Sequence, residues 1–192
     1  MQRKEFNTMN LIIKSLSPSL IDDYLSFFDN MVFSEHPHWS KCYCYSYHFT
    51  GANEEWNHER NRLAVIDLIS ENKMRGFLAY DGNKAIGWCN ANNILNYQSL
   101  TEKEISESEV CAIVCFLIHP DYRRKGIAQK LLEQVIEEFT SMAYDSIEAY
   151  PRKDKHSCER NYHGHFSLYE KFDFKIKEEL DDHYVVRKGL KE

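Results

Sequence analysis

The sequence has no long apolar run and no excess of positive charge. No run approaches the roughly 20 apolar residues that a membrane-spanning helix needs, and the N-terminal stretch MQRKEFNTMN lacks the apolar core of a signal peptide. Lys and Arg number 24 against 30 Asp and Glu, and this net charge of -6 argues against general nucleic-acid binding, which needs a basic face. We therefore expect a cytoplasmic protein that acts neither at a membrane nor on nucleic acid.

The cysteines do not form the pattern of a disulfide framework. Their spacing is irregular, and a chain of 192 residues with 43 % hydrophobic content can bury a core without disulfides. We predict one domain with reduced thiols in its core or in a pocket wall. The six cysteines are Cys42, Cys44, Cys89, Cys111, Cys115 and Cys158.

One stretch joins a buried strand to an amphipathic helix. Residues 110–118 are nine consecutive apolar residues, which is typical of a strand buried on both faces of a sheet. Pro120 ends this strand, and apolar residues recur at helical spacing from Ile127 to Phe139. The central strand therefore leads directly into a helix that packs on the core.

The turn before this helix carries three cations and a glycine. Arg123, Arg124 and Lys125 lie where the helix dipole disfavours positive charge by roughly 0.3 to 1 kcal/mol each. A phosphate there would pair with the cations and with the unpaired amides of the first helical turn, and Gly126 would let it approach the backbone closely. The turn is therefore either an anion site or an ordinary solvated basic turn.

Hydrophobic periodicity predicts the remaining elements. Because a strand, a helix and a strand follow one another, the strand after the helix should lie parallel to the central strand. Strands are predicted at 11–16, 76–80, 84–95, 146–150, 175–179 and 184–188, and helices at about 20–33 and 54–72, with a short helix after residue 164.

Arg123, Gly126 and Ala128 form an Arg-x-x-Gly-x-Ala pattern that resembles the acyl-CoA pyrophosphate loop of the GNAT superfamily of N-acetyltransferases. The resemblance implies an α/β (α+β) fold: a mixed, mostly antiparallel sheet with a central parallel strand pair and helices on both faces. It implies one domain over 1–192, with front helices and an acceptor loop in about 1–74 and an acyl-CoA-binding core in about 75–190. Gly-Trp-Cys at 87–89 and Glu-Ala-Tyr-Pro at 148–151 are similar to segments in one branch of the superfamily.

The resemblance also implies acetyl-CoA as the co-substrate and no metal. Backbone groups at the end of the central strand would pair with the pantetheine arm like an added strand, and the loop would hold the pyrophosphate. The implied cofactor-binding residues are Phe116, Leu117, Ile118, Arg123, Arg124, Lys125, Gly126, Ile127 and Ala128.

Tyr169 is the implied proton donor to the departing thiolate. It lies in Leu-Tyr-Glu-Lys-Phe-Asp-Phe, which is similar to the family's Tyr-Glu-Lys-hydrophobic-Gly-Phe segment. Asp173 replaces the usual glycine at the helix end, where aspartate tolerates the left-handed conformation at modest cost. The alternative is a core tyrosine at helical spacing.

Glu148 is the predicted general base, because a carboxylate is rarely buried within a short core strand unless it has a partner or a function. The alternative is a Glu that faces the sheet edge or forms a salt bridge. His119 is a second candidate base, although a residue before proline at a strand end is more often structural. A nucleophilic Cys111 or Cys115 is disfavoured, because a buried thiol is inert.

The segment 34–53 is rich in aromatic residues, His and Cys without a clear period. Three interpretations remain open: a lid packed on the domain, a zinc site, or a wall of the acceptor pocket whose aromatic faces attract a protonated amine. The zinc ligands would be His36, His38, Cys42, Cys44 and His48. The predicted acceptor contacts are Trp39, Tyr43 and Trp88.

The resemblance implies an N-acetyltransferase that moves the acetyl group of acetyl-CoA to a primary amine of a small molecule or peptide by direct attack. A non-catalytic acyl-CoA-binding regulatory domain of the same fold is the first alternative. A zinc-binding interaction module is the second. The acceptor and the oligomeric state do not follow from the sequence.

Overall fold

The computed structural model describes residues 9–31, 33, 36–100, 109–153 and 159–191. Within them, no helix is long and apolar enough to cross a membrane. The described strands are β1 (Leu11–Ser15), β2 (Gly76–Asp81), β3 (Lys84–Asn93), β4 (Val110–Ile118), β5 (Ser146–Ala149), β6 (Lys175–Glu179) and β7 (Tyr184–Gly189). The described α-helices are α1 (Ile21–Asp29), α2 (His58–Ser70), α3 (Ile127–Ser141) and α4 (Phe166–Glu170).

The strands form one sheet in the order β1, β2, β3, β4, β5, β7, β6. β4 and β5 are parallel, whereas the other described strand pairs are antiparallel. α3 is the crossover between them, since parallel neighbours cannot be joined by a tight turn. The prediction of a mixed, mostly antiparallel sheet with a central parallel pair is confirmed.

Side chains of the central strands alternate between two cores on opposite faces of the sheet. Phe77 and Ala79 of β2 pack in the core that contains Leu131 of α3. Leu78 and Tyr80 pack in the core formed with α1 and α2. Because successive side chains of a strand point to opposite faces, helices cover both sides of the sheet, as predicted.

β4 contains a β-bulge at Val114. Asn90 of β3 pairs with Cys115, but the next β3 residue, Ala91, pairs with Ile113, so Val114 is an extra residue. A bulge interrupts the alternation of side chains. Cys115 therefore packs on the side of α1 and α2, although Ile113, two residues earlier, packs on the side of α3.

β4 also extends beyond its parallel neighbour. The ladder with β5 ends where Ile113 pairs with Ala149, and Pro151 follows shortly after. From Cys115 onward, β4 pairs with β3 on one edge, and its other edge faces a loop through Tyr162. The two strands therefore diverge at the bulge, which leaves space on both faces of the second half of β4.

Two predicted helix boundaries are wrong. α1 ends at Asp29 rather than near residue 33. α2 begins at His58 rather than at residue 54, because the side chain of Asn57 accepts a hydrogen bond from the amide of Arg60 at 2.9 Å and so caps the helix there. The acidic residues at 54 and 55 belong to a separate 3₁₀ turn.

Candidate active site

The turn before α3 adopts a backbone conformation that presents its amides to solvent. Arg124 has φ +62° and Gly126 has φ +80°, both in the left-handed region. Among the described residues, no side chain caps the helix at Gly126. A Cβ built on Gly126 meets no protein atom within 4 Å, so the space in front of the loop is open. The geometry fits a phosphate group held by a helix N-terminus.

This loop borders a cavity of about 380 Å³, which we call the helix-end cavity. Phe116, Leu117 and Ile118 of β4 form one wall of the cavity. The residues from the loop and from the start of α3 are Arg123, Arg124, Gly126, Ile127, Ala128 and Gln129. Of the predicted cofactor residues, Lys125 is the exception, and its Nζ lies over the Tyr122 ring at 4.8 Å from the centroid.

A second cavity, of about 350 Å³, lies on the α1 and α2 side of β4, and we call it the aromatic cavity. Its β4 wall consists of Val114, Cys115 and Leu117, because the bulge turns both Val114 and Cys115 to this face. Its remaining lining comes from α1, the segment after it and the loop through residue 162. Aromatic residues in that lining are Phe28, Phe33, Trp39, Tyr47, Trp56 and Tyr162.

Phe33 and Leu117 line both cavities. The two cavities therefore adjoin at these two side chains, and we call this shared wall the junction. An elongated ligand anchored at the helix could place its far end beside Leu117. A second ligand in the aromatic cavity would meet it there.

Comparison with known proteins agrees with this geometry. The sequence model of the Acetyltransferase (GNAT) family matches residues 36–174, which is well over half of the chain. The chain belongs to the GNAT acetyltransferase family. No curated protein sequence matches it significantly.

Solved structures of other GNAT proteins share the fold at low sequence identity. PaiA N-acetyltransferase of Thermoplasma acidophilum, in complex with coenzyme A, is 16 % identical with a TM-score of 0.59, covering 94 % of this chain and 99 % of that chain. The putative acetyltransferase YncA of Salmonella typhimurium, with acetyl-CoA, is 13 % identical with a TM-score of 0.58, covering 95 % of each chain. The ribosomal-protein-S18-alanine N-acetyltransferase of Escherichia coli is 13 % identical with a TM-score of 0.56, covering 94 % of each chain.

Two backbone groups expected to bind the pantetheine arm of the GNAT cofactor already have protein partners. The amide of Phe116 donates to the carbonyl oxygen of Tyr162 at 2.5 Å. The carbonyl oxygen of Ile118 accepts from Nε of Arg123 at 3.3 Å. Because β5 has left this edge of β4, the loop through Tyr162 occupies part of it. A pantetheine arm that pairs with these groups must displace both contacts.

Tyr169 lies behind the cavity wall. Its side chain is 0 % exposed, and its hydroxyl donates to the carbonyl oxygen of His163 at 2.5 Å. Burial raises the pKa of Tyr169 well above its usual value. Gly164, which lines the helix-end cavity, covers the hydroxyl, and a Cβ built on Gly164 would lie 3.1 Å from it. Asp173 takes the left-handed conformation, with φ +62°, as expected at this helix end.

Glu148 is not part of either cavity. Its Oε1 lies 2.6 Å from Nζ of Lys177 and 2.6 Å from a guanidinium nitrogen of Arg187, and Tyr150 donates to its other oxygen at 3.4 Å. Arg187 is its cross-strand partner on β7. The carboxylate is committed to two cations, so its predicted role as the base is corrected to a structural ion pair.

Only one of the three predicted acceptor contacts lines the aromatic cavity. Trp39 does so. Trp88 is 0 % exposed in the core beside Tyr24, and its indole fills the space beneath the Gly76 backbone. Tyr43 is likewise buried, and its hydroxyl bonds to Asp29. The prediction that Trp88 and Tyr43 contact the acceptor is therefore wrong in this geometry.

The geometry supports neither His119 as a base nor a zinc centre in the segment 34–53. His119 lines a separate depression with Asp81 and Lys84 and is not among the residues that line either cavity. Within the described residues, no group of three or more His, Cys, Asp and Glu side chains is placed to hold a metal ion. Cys42, Cys44, Cys89, Cys111 and Cys115 are free thiols, and Cys158 lies outside the described residues.

Glu159 is a site residue that the sequence analysis missed. It is 3 % exposed, lines the helix-end cavity, and accepts a hydrogen bond from the amide of His36 at 2.9 Å. Among the described residues that line either cavity, it is the one carboxylate. Phe33, which lines both cavities, also lines the helix-end cavity together with Glu159. In the sequence, an acid in a polar loop gives no signal of this position.

Replacing Gly126 by valine should weaken CoA binding by at least about tenfold, or roughly 1.4 kcal/mol. A branched side chain would strain the left-handed backbone and fill the space in front of the amides. Calorimetric titration with CoA measures the effect. Gly82→Val is the matched control, because Gly82 has φ +59° and open space at its Cβ but lies in the β2–β3 turn. Wild-type affinity in Gly126→Val would contradict the assignment of the loop.

Replacing Glu148 by alanine should lower the free energy of unfolding by about 2 kcal/mol, since its charge-assisted hydrogen bonds with Lys177 and Arg187 are lost. Urea denaturation measures the loss. In the control Glu179→Ala, the removed pair with Lys153 is exposed and should cost less than about 1 kcal/mol. Equal losses in the two variants would show that Glu148 is not a structural anchor.

Proposed function

We propose that this protein is an acetyl-CoA-dependent N-acetyltransferase that acetylates a primary amine of a small molecule or peptide by direct attack. The observation that carries the proposal is the junction at Phe33 and Leu117. There, the cavity that borders the N-terminus of α3 shares its wall with a second cavity of about 350 Å³.

The residues of the helix-end cavity suit the diphosphate of CoA. The backbone amides at Gly126, Ile127 and Ala128 would hold it, together with the side chains of Arg123 and Arg124. Charge-assisted hydrogen bonds contribute roughly 1.5 to 3 kcal/mol each, so a few are enough for micromolar affinity. The GNAT structures that contain CoA and acetyl-CoA support the same co-substrate here. When bound, acetyl-CoA supplies the acetyl group as an activated thioester.

The acceptor amine would approach from the aromatic cavity. Its nitrogen forms a bond to the acetyl carbon while the bond from carbon to sulfur breaks, and the amide and CoA thiol are the products. Leu117 and Phe33 would align the two ligands at the junction, which lowers the entropic cost of the reaction. This direct route needs one group to take a proton from the amine and one to give a proton to the sulfur.

Glu159 is our candidate for the proton acceptor. A primary amine with a pKa near 10.4 is charged at neutral pH, so its deprotonation costs roughly 3 to 5 kcal/mol. A carboxylate near the junction would attract the ammonium and take up its proton, directly or through one water. The hydrogen bond from His36 would orient the carboxylate.

Tyr169 remains our candidate for the proton donor to the sulfur. Gly164 has no side chain, lines the helix-end cavity and lies beside the Tyr169 hydroxyl, since a Cβ built on it would be 3.1 Å away. The donation requires the hydroxyl to turn from the carbonyl oxygen of His163 toward that cavity. The raised pKa of Tyr169 makes transfer of its proton to the sulfur less favourable. A buried hydrogen bond between the hydroxyl and the leaving sulfur would have to offset this free-energy cost.

The second candidate function is a non-catalytic acyl-CoA-binding domain of the same fold. The observation in its favour is the same burial of Tyr169, whose hydroxyl is already paired with a backbone oxygen. Thiol release from acetyl-CoA in the presence of an amine separates the two functions, because a sensor domain would bind acetyl-CoA without amine-dependent release.

Glu159→Gln should lower kcat by about 100-fold or more, while leaving CoA affinity within about twofold of wild type. The amide keeps an oxygen for the His36 hydrogen bond but cannot take a proton. Steady-state thiol release over a pH series measures the effect. Glu133→Gln on the surface of α3 is the control, because Glu133 pairs with Gln129 and Lys130 of the same helix. An unchanged kcat in Glu159→Gln would remove Glu159 from the mechanism.

Tyr169→Phe should abolish most thiol release while CoA binding persists. The matched control is Tyr144→Phe, because Tyr144 belongs to the same core and its hydroxyl also makes a part-buried contact, with Asn93 at 3.2 Å. Each variant should lose about 1 kcal/mol of stability through one hydrogen bond. Equal turnover in the two variants would show that Tyr169 has a structural role only.

A further inference from the structure

The aromatic cavity has an unusual lining for a site that receives amines. Its described lining residues include Trp39, Trp56, Tyr47 and Tyr162, and none of them is Asp, Glu, Lys or Arg. Trp39 meets Tyr162 edge to face, with ring centroids 5.7 Å apart. Among the described residues, the lining therefore offers aromatic rings rather than carboxylates.

Six titratable groups line this cavity, namely His38, Cys42, Cys44, Tyr47, Cys115 and Tyr162, and burial holds four of them in their neutral forms. Burial raises the pKa of Tyr47 well above its usual value and that of Tyr162 to about 12. Burial also raises the pKa of the Cys42 and Cys115 thiols. The hydroxyl of Tyr47 is further occupied by Nε2 of His163, at 3.1 Å. None of these four groups supplies a negative charge at neutral pH.

A neutral aromatic wall discriminates strongly among amines. One ammonium can rest against ring faces and then lose its proton at the junction near Glu159. A second ammonium on the same molecule would be buried without a partner, which is costly. An apolar or aromatic body instead gains from contact with the rings. A cavity of about 350 Å³ also suits a small molecule rather than a folded partner.

From these features, we infer that the acceptor is a small primary monoamine with an aromatic body, and that polyamines and aminoglycosides are poor acceptors. This inference rests on the proposed acetyl transfer. Trp39 and Tyr162 are the residues that select the aromatic body. The absence of fixed carboxylates among the described lining residues is what disfavours polycations.

The test compares 2-phenylethylamine with spermidine as acceptors, by thiol release from acetyl-CoA. The expected kcat/KM for 2-phenylethylamine is at least about 100-fold higher. Trp39→Ala should raise the KM for 2-phenylethylamine by about tenfold or more, and Trp39→Phe should restore most of the loss. Equal or better turnover of spermidine would overturn the inference and leave the transferase intact.

A charge introduced at the rim tests the electrostatic part separately. Ser46 lines the cavity and is exposed, so Ser46→Asp should fold normally. The aspartate should lower the ratio of kcat/KM for 2-phenylethylamine to kcat/KM for spermidine by about tenfold. The control Ser46→Asn introduces an uncharged side chain of the same shape and should leave this ratio unchanged. An unchanged ratio in Ser46→Asp would overturn the claim that the lack of carboxylates in the described lining disfavours polycations.

Binding distinguishes failure of this inference from failure of the proposed function. Calorimetric titration with 2-phenylethylamine, with weaker binding in Trp39→Ala than in wild type, reports occupation of the cavity without any need for turnover. Such binding without thiol release would support the inferred ligand class and overturn the transferase. Thiol release with 2-phenylethylamine but no effect of Trp39→Ala on its KM would overturn the assignment of the cavity.

Discussion

The divergence of β4 from β5 at the Val114 bulge is the feature on which the rest of the site depends. Up to Ile113, β4 is an ordinary central strand with hydrogen-bonded neighbours on both sides. Beyond it, the bulge places Val114 and Cys115 on the same face, and the short β5 leaves one edge of β4 to a loop. Without both departures from regular pairing, β4 would be closed on both faces and neither cavity would exist.

The N-terminus of α3 is placed at the open end of this divergence. Arg123 and Arg124 lie beside the positive end of the helix dipole, and Arg124 has an unfavourable left-handed backbone. These arrangements cost stability in the unliganded protein, and an anion at the loop would offset them. The core beneath the loop is dense, since Ile127, Leu131 and Leu132 are almost fully buried. A densely packed core thus supports a loop whose positive charge would be neutralised by a bound anion.

The elements that the sequence predicted well are those with a single strong signal. The nine-residue apolar run and the periodic helix after it can be recognised from local sequence alone. Their order in the chain predicted that β4 and β5 are parallel. The bulge could not be predicted in the same way, because all nine residues of β4 are apolar and a break in alternation leaves no trace. The end of α1 was similarly obscured, because apolar residues continue beyond Asp29.

The candidate site was harder to predict because contact partners are distant in sequence. Glu148 looked like a functional carboxylate until the fold brought Lys177 and Arg187 to it, from 29 and 39 residues away. Trp88 and Tyr43 are of residue types that often line ligand pockets, but strand register and packing bury them in the core. Glu159 has no distinguishing pattern, and only the fold shows that it lines the helix-end cavity together with Phe33.

The most direct test of the account is a titration of the isotope-labelled protein with CoA, followed by backbone amide NMR. The account predicts that the amides from Arg124 to Ala128 change most in chemical shift and become protected from exchange, with smaller changes along the end of β4. Unperturbed amides in this loop, or changes centred on the depression around Lys84 and His119, would contradict the claim that the start of α3 holds the diphosphate.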